Sequence, residues 1–305
     1  MTLNKKDMSQ TKIKNKTILH VPVLLQEVVM MLTPVNGERY LDLTAGFGGH
    51  AQEMLKHTEA SATLVDRDEH AIAVLSDMFE QDESISILHM DFKQAVDSLV
   101  EKNEIFDIVL ADLGVSSPHL DKASRGFSLA SEGPLDMRMD PSQSKSAYEV
   151  VNSYEEAELE RILRVYGEEP KARAMARLIV ASRPIETTLE LAQIAKKIWP
   201  GHSRSHPATR LFQAIRIEVN DELAQVEAML PQAVKLLKPG GRLGIITFHS
   251  LEDRLVKQFF KQVAGDRYDT DLEEITKGPV TASQNELVNN PRARSAKLRG
   301  VRKRK

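Results

Sequence analysis

Apolar residues in the first third of the chain come in short runs, and each run leads to an acidic residue. Tyr40-Leu41 leads to Asp42, and Ala62-Thr63-Leu64-Val65 to Asp66. Ile85-Ser86-Ile87-Leu88 is followed by Asp91-Phe92, and Phe106-Asp107-Ile108-Val109-Leu110-Ala111 by Asp112. Runs this short predict strands buried on both faces. Between them the spacing becomes helical, with Ile72, Leu75 and Phe79 on one face of a helix over Glu69–Phe79. Four such strands alternating with helices predict a parallel α/β sheet whose ligands bind beyond the strand C-termini.

The pattern then changes. Residues 114–140 are rich in Ser, Gly, Pro and Asp without a period, as in an ordered functional loop. Ser153-Tyr154-Glu155-Glu156 reads as a capping box opening a helix with Leu159, Ile162 and Leu163 inward. Further helices are expected over Lys171–Ser182 and Leu189–Trp199, and from Pro207 with Leu211, Phe212, Ile215 and Val219 on one face. Helix Asp221–Leu237, the turn Lys238-Pro239-Gly240-Gly241 and strand Leu243–Phe248 return to the sheet. The division expected is therefore a disordered basic extension at 1–17 and a core at 18–119 and 216–290. An all-helical insertion occupies 120–215 on the substrate side, and a basic tail 291–305.

Composition narrows the classes. No apolar run approaches the roughly 18 residues of a membrane span, and lysines near the N-terminus precede no apolar leader core. The chain has no cysteine, which excludes disulfides, cysteine-held zinc and a thiolate nucleophile, and suits the cytoplasm. The net charge of −3 is uneven. Residues 1–16 hold five lysines against one acid, and 291–305 hold eight basic residues and none, which leaves 28 basic against 43 acidic residues between them. Basic ends on an acidic body fit contact with phosphate, and equally a solvated terminus.

The strongest chemical signal is Asp42-Leu43-Thr44-Ala45-Gly46-Phe47-Gly48-Gly49-His50, a strand running through glycines into a helix N-terminus. Glycines there let a ligand lie against backbone N–H groups. Asp66 follows Gly46 by twenty residues and ends a strand, where a carboxylate takes the hydroxyls of a ribose. Gly46-x-Gly48-x-x-Ala51 also satisfies the loose dinucleotide fingerprint, so a nicotinamide oxidoreductase shares these features. His202 and His206 have the spacing of a metal pair but sit among Pro200, Gly201 and Pro207 with no supporting acid, and read as loop; no metal site is expected.

Longer strings narrow this further. His20-Val21-Pro22-Val23-Leu24-Leu25-Gln26-Glu27-Val28, Asp112-Leu113-Gly114-Val115-Ser116-Ser117-Pro118-His119-Leu120 and Gly133-Pro134-Leu135-Asp136-Met137-Arg138-Met139-Asp140 stand in this order. His206-Pro207-Ala208-Thr209-Arg210-Leu211-Phe212-Gln213-Ala214-Ile215-Arg216, Thr247-Phe248-His249-Ser250-Leu251-Glu252-Asp253-Arg254 and Asn290-Pro291-Arg292-Ala293-Arg294-Ser295-Ala296-Lys297-Leu298-Arg299 follow. Over roughly residues 18–300 the chain resembles the bacterial 16S ribosomal RNA (cytosine N4)-methyltransferase family, RsmH or MraW. The resemblance implies a class I, Rossmann-like fold with a helical insertion. It also implies methyl transfer from S-adenosylmethionine to the N4 amine of a decoding-centre (P-site) cytidine, with 16S rRNA or the small ribosomal subunit as partner. By the same resemblance Gly48, Gly49, His50, Asp66, Phe92, Asp112 and His119 hold the cofactor, although the family commonly has Gln where His119 stands. Related amino methyltransferases place an acidic or polar residue before Pro-Pro-aromatic after the fourth strand. Here Ser116-Ser117-Pro118-His119 matches only in part, so Ser117, with Asp136 and Asp140, is a candidate for the target amine. A non-catalytic RNA-binding factor on the same fold is the remaining alternative.

Overall fold

A computed structural model describes residues 22–114, 122–201, 206–264 and 270–304. Seven strands form one sheet in the order β3-β2-β1-β4-β5-β7-β6. The strands are β1 (Tyr40–Asp42), β2 (Ala62–Asp66), β3 (Ile85–His89), β4 (Phe106–Asp112), β5 (Leu237–Thr247), β6 (Leu272–Glu274) and β7 (Lys297–Lys303). The first five are parallel, β7 runs antiparallel to β5, and β6 runs antiparallel to β7.

The continuous apolar runs are explained by burial on both faces. Along β4, Ile108 and Leu110 join one core with Val28, Leu32 and Tyr40, while Val109 and Ala111 join the other with Val226, Met229 and Val256. The first core is covered by α1 (Leu25–Leu32), α2 (Gly49–Thr58) and α3 (Glu69–Met78). The second lies under α4 (Phe92–Glu101), α10 (Glu222–Lys235) and α11 (Ser250–Val263). Helix α1 ends at Thr33, in the left-handed region, one residue before Pro34. The Lys238-Pro239-Gly240-Gly241 turn lies within β5, where the register against β4 shifts and the chain bulges out between Leu237 and Arg242.

A third core contains no strand residue. Phe127 through Val219 supply it, chiefly from α5 (Ala147–Ser153), α6 (Glu156–Val165), α7 (Ala172–Ala181), α8 (Thr188–Ile198) and α9 (Thr209–Asn220). Helices α9 and α10 meet at Asp221, whose φ of 51° ends one helix and begins the other.

Two expectations need correction. Ser153 does not open a helix; it ends α5, and α6 begins at Glu156 with no side-chain cap. The capping box belongs to Ser146 and Glu149, one helix earlier. The basic tail is also a structural element. Lys297–Lys303 is β7, with Leu298, Gly300 and Val301 buried, and its Arg299 and Lys297 hold Asp253 of α11 at 2.7 and 2.9 Å. Its positive charges answer carboxylates of the fold: Glu273 on β6 faces Arg302 and Arg304. The extension at 1–17 lies outside the described residues.

Candidate active site

Beyond the C-terminal ends of the parallel strands lies a cavity of about 580 Å³, within the usual range of a small-molecule site. One wall is the glycine loop with the ends of β2, β3 and β4: Thr44–Phe47, Gly49, His50, Asp66, Asp91, Phe92 and Asp112. The loop is stitched to its neighbours. Leu43 N–H donates to Leu110 O, Ala45 N–H to Val65 O, and Asp112 N–H to Thr44 Oγ1 at 2.6 Å. Gly49 begins α2 where a Cβ would stand 2.4 Å from Pro22 Cγ, so Pro22 and the glycine loop fix each other.

Asp66 ends β2 with both oxygens anchored. Gly46 N–H donates to Oδ2 and Asp68 N–H to Oδ1, each at 2.8 Å. A carboxylate has about four acceptor sites, so two remain for hydroxyl donors in the cavity. Burial raises its pKa, opposed by those two amides. Asp112 is held differently. His50 Nδ1 lies 3.8 Å from its Oδ2, and Oδ1 is buried with no hydrogen-bond partner among the described residues. Burial, then the nearby Asp42 and Glu252 charges, push its carboxyl well above the usual range. A cationic ligand would hold it ionised. Asp42 itself lies beneath the loop, taking Tyr40 Oη at 2.7 Å and Thr44 N–H at 3.1 Å, and burial pushes it up to about 6.

The facing wall comes from α9, α10 and the start of α11. Arg216 donates through Nε and Nη2 to the two oxygens of Glu222, both at 2.8 Å. His249 caps α11, its Nδ1 accepting Glu252 N–H at 3.3 Å. Glu252 in turn accepts the N–H groups of Phe248 and His249 on Oε2. Burial raises the Glu252 pKa, but the adjoining His249 side chain, then the Arg216 charge and the Phe248 N–H, outweigh it and hold Glu252 below its ordinary pKa. Glu222, His249 and Glu252 bring three ligand-type atoms within 4.8 Å of one another. Arg216 already occupies both Glu222 oxygens and sets a positive charge within this group, which opposes a metal ion there.

The sequence-derived candidates fall into three groups. Gly49, His50, Asp66, Phe92 and Asp112 line the one cavity. Gly48 and Asp136 do not. Gly48 is the N-cap of α2 at φ 78°, where a Cβ would meet Met78 Sδ at 3.0 Å. Asp136 accepts from the Arg138 guanidinium at 2.8 and 2.9 Å and from the Arg138 N–H at 3.0 Å. Asp140 likewise accepts Ser142 N–H. Ser117 and His119 lie outside the described residues, as does His202. Sequence reasoning missed Arg216, Glu222, His249 and Glu252 as site residues. Two of the quoted strings contain Arg216, His249 and Glu252, but nothing in their spacing says that they meet.

Residues 17–304 match the MraW methylase family. The chain belongs to that family. Among similar relatives, the ribosomal RNA small subunit methyltransferase H of Synechocystis sp. is 46% identical over 294 residues, covering 93% of each chain. That of Trichormus variabilis is 48% identical over 292 residues, covering 94% of this chain and 92% of the relative. Among solved structures, SMU.1697c from Streptococcus mutans, a putative methyltransferase in complex with SAH, aligns at 12% identity and TM-score 0.46, covering 93% of this chain and 99% of that one. Membership of the MraW methylase family accounts for the quoted strings as one set. A nicotinamide oxidoreductase shares only the glycine loop and the ribose acid.

Proposed function

We propose that the enzyme methylates the N4 amine of a decoding-centre cytidine. Its family makes it an S-adenosylmethionine-dependent methyltransferase acting on small-subunit ribosomal RNA. The donor set suits that cofactor: Asp66 keeps two acceptor sites for ribose hydroxyls, and the wall is rich in carboxylates, complementary to a sulfonium. We assign Gly49, His50, Asp66, Phe92 and Asp112 to cofactor binding, with Gly48 shaping the turn and His119 carried by the resemblance alone. When bound, the cofactor supplies an electrophilic methyl group on sulfur.

The observation that carries the N4 assignment is the set of acceptors around the cavity. An exocyclic amine conjugated to the ring is a weak nucleophile and needs alignment with the methyl group and acceptors for its N–H protons. Asp112 Oδ1, at the end of β4, is a buried acceptor with no partner among the described residues, and Glu252 lines the same cavity. Methylation at carbon C5 needs a cysteine thiolate adduct at C6, and the chain contains no cysteine. The acidic cavity repels phosphate, so a base must swing out of its stack to enter while its backbone stays outside. We assign the helical insertion, whose Phe127 and Phe212 reach the cavity, to the substrate side. Ser117 is retained as a candidate for the amine on the resemblance.

The test is to incubate the enzyme with small ribosomal subunits and labelled S-adenosylmethionine, hydrolyse the RNA and separate the nucleosides. Label should run with N4-methylcytidine. Label with 5-methylcytidine would overturn the assignment.

A further inference from the structure

The polar group at the start of α11 has a buried donor with no aligned acceptor among the described residues. His249 Nδ1 accepts the Glu252 N–H, so the neutral ring carries its proton on Nε2. Its side chain is nine-tenths buried and lines the cavity. Glu252 Oε1 lies 3.2 Å from Nε2, yet off the N–H direction, and Nε2 has no hydrogen-bond partner among the described residues. A buried N–H left without an acceptor is costly, so its persistence calls for a ligand that completes it.

Strand order says which ligand. Asp66 ends β2 and the glycine loop follows β1, whereas His249 follows β5, two strands beyond β1 and past β4. The cofactor residues lie at the ends of β1, β2 and β3, with Asp112 at the end of β4 as the last of them, which leaves the β5 end to the methyl acceptor. There His249 offers a donor and Glu252 an acceptor side by side. Phe248 and Phe212 add aromatic faces to the same wall. A donor beside an acceptor complements one feature of a nucleobase edge: an amine next to an unprotonated ring nitrogen. Uracil presents the reverse order, a carbonyl beside a ring N–H.

We propose that His249 and Glu252 read the target base, His249 Nε2–H donating to ring nitrogen N3 and Glu252 Oε1 accepting from the N4 amine. The pair selects cytosine over uracil and holds the amine toward the methyl group. The Arg216–Glu222 pair stands behind it and fixes the wall. This inference rests on the N4 reading above and adds the residues that recognise the base.

The test uses enzyme loaded with S-adenosylhomocysteine and three nucleosides: cytidine, uridine, and 3-deazacytidine, in which a C–H replaces N3. Binding is followed by calorimetry or ligand-observed NMR. Wild type should bind cytidine roughly tenfold more tightly than either analogue, the scale of one lost hydrogen bond that leaves a buried partner unmet. His249→Asn keeps a side-chain oxygen to cap α11 but is too short to place a donor at Nε2. It should melt like wild type, bind S-adenosylhomocysteine unchanged, and bind cytidine and 3-deazacytidine equally. Wild type that binds cytidine no better than 3-deazacytidine overturns the proposal, and needs no variant. So does a folded His249→Asn enzyme that still tells them apart. Nucleoside analysis separates the two levels. A product other than N4-methylcytidine removes both readings, whereas N4-methylcytidine made by an enzyme indifferent to N3 removes only the base-reading pair.

Discussion

The two walls of the cavity hold their carboxylates by different means. On the glycine-loop side Asp66 is fixed by Gly46 and Asp68 N–H groups, and Asp42 by Tyr40 Oη and Thr44 N–H, all supplied by the strands and loops they belong to. On the facing side Glu222 is held by an arginine side chain from the preceding helix, whereas Glu252 takes the backbone N–H groups of Phe248 and His249. Backbone donors come with the fold and cannot be mutated away. A wall built from side-chain pairs depends on every partner, and removing one leaves a buried charge. The facing wall is therefore the more vulnerable at the Arg216–Glu222 pair.

The largest expected effect tests that vulnerability. Arg216→Met leaves Glu222 buried and unpaired, and should cost about 3–5 kcal/mol of stability by urea unfolding. Adding Glu222→Leu should return most of the loss, because a buried pair replaced by apolar residues is near neutral. A single variant as stable as wild type would erase the difference between the walls.

Next comes Asp42, whose folded pKa of about 6 lies above the ordinary 3.8. Between those values the folded state binds the extra proton, so its contribution is complete below about pH 4 and is lost as pH rises through 6. The stability of wild type relative to Asp42→Asn should therefore fall by roughly 2–2.5 kcal/mol from pH 4 to 7, at about 1.36 kcal/mol per unit. A flat difference would mean that local donors have fully offset its burial.

The smallest effect concerns Asp66. Asp66→Ala should weaken S-adenosylmethionine binding by about 1.5–3 kcal/mol in calorimetry, the scale of charged hydrogen bonds. It also releases two loop amides, so hydrogen exchange at Gly46 and Asp68 should quicken in the folded variant. Unchanged affinity with faster exchange would make Asp66 a brace for the loop alone.

The first wall was legible in the chain because its parts are local. A strand, three glycines and an acid twenty residues on leave a signature in spacing. The second was not. Arg216 and Glu222 are six apart, outside the helical neighbour spacings, and meet only because Asp221 breaks the helix at φ 51°. His249 and Glu252 have the box spacing, but with histidine where serine or threonine usually stands. In β7 the charges Lys297, Arg299, Arg302 and Lys303 masked an alternating strand, since their partners Asp253 and Glu273 lie far back in the chain. Gly48 and Asp136 show the converse: residues in specific strings can serve the backbone rather than the cavity.

The position of β7 also sets an order of assembly during synthesis. It lies between β5 and β6 yet is made after both, and β6 pairs with no other strand. As the chain grows from its N-terminus, five parallel strands and the helical insertion can associate while the outer edge of β5 stays unpaired. An open edge of that kind invites pairing with another chain. Until Lys297–Lys303 pairs with β5 that edge stays open, and Arg299 and Lys297, docking on Asp253, are contacts that seat the strand.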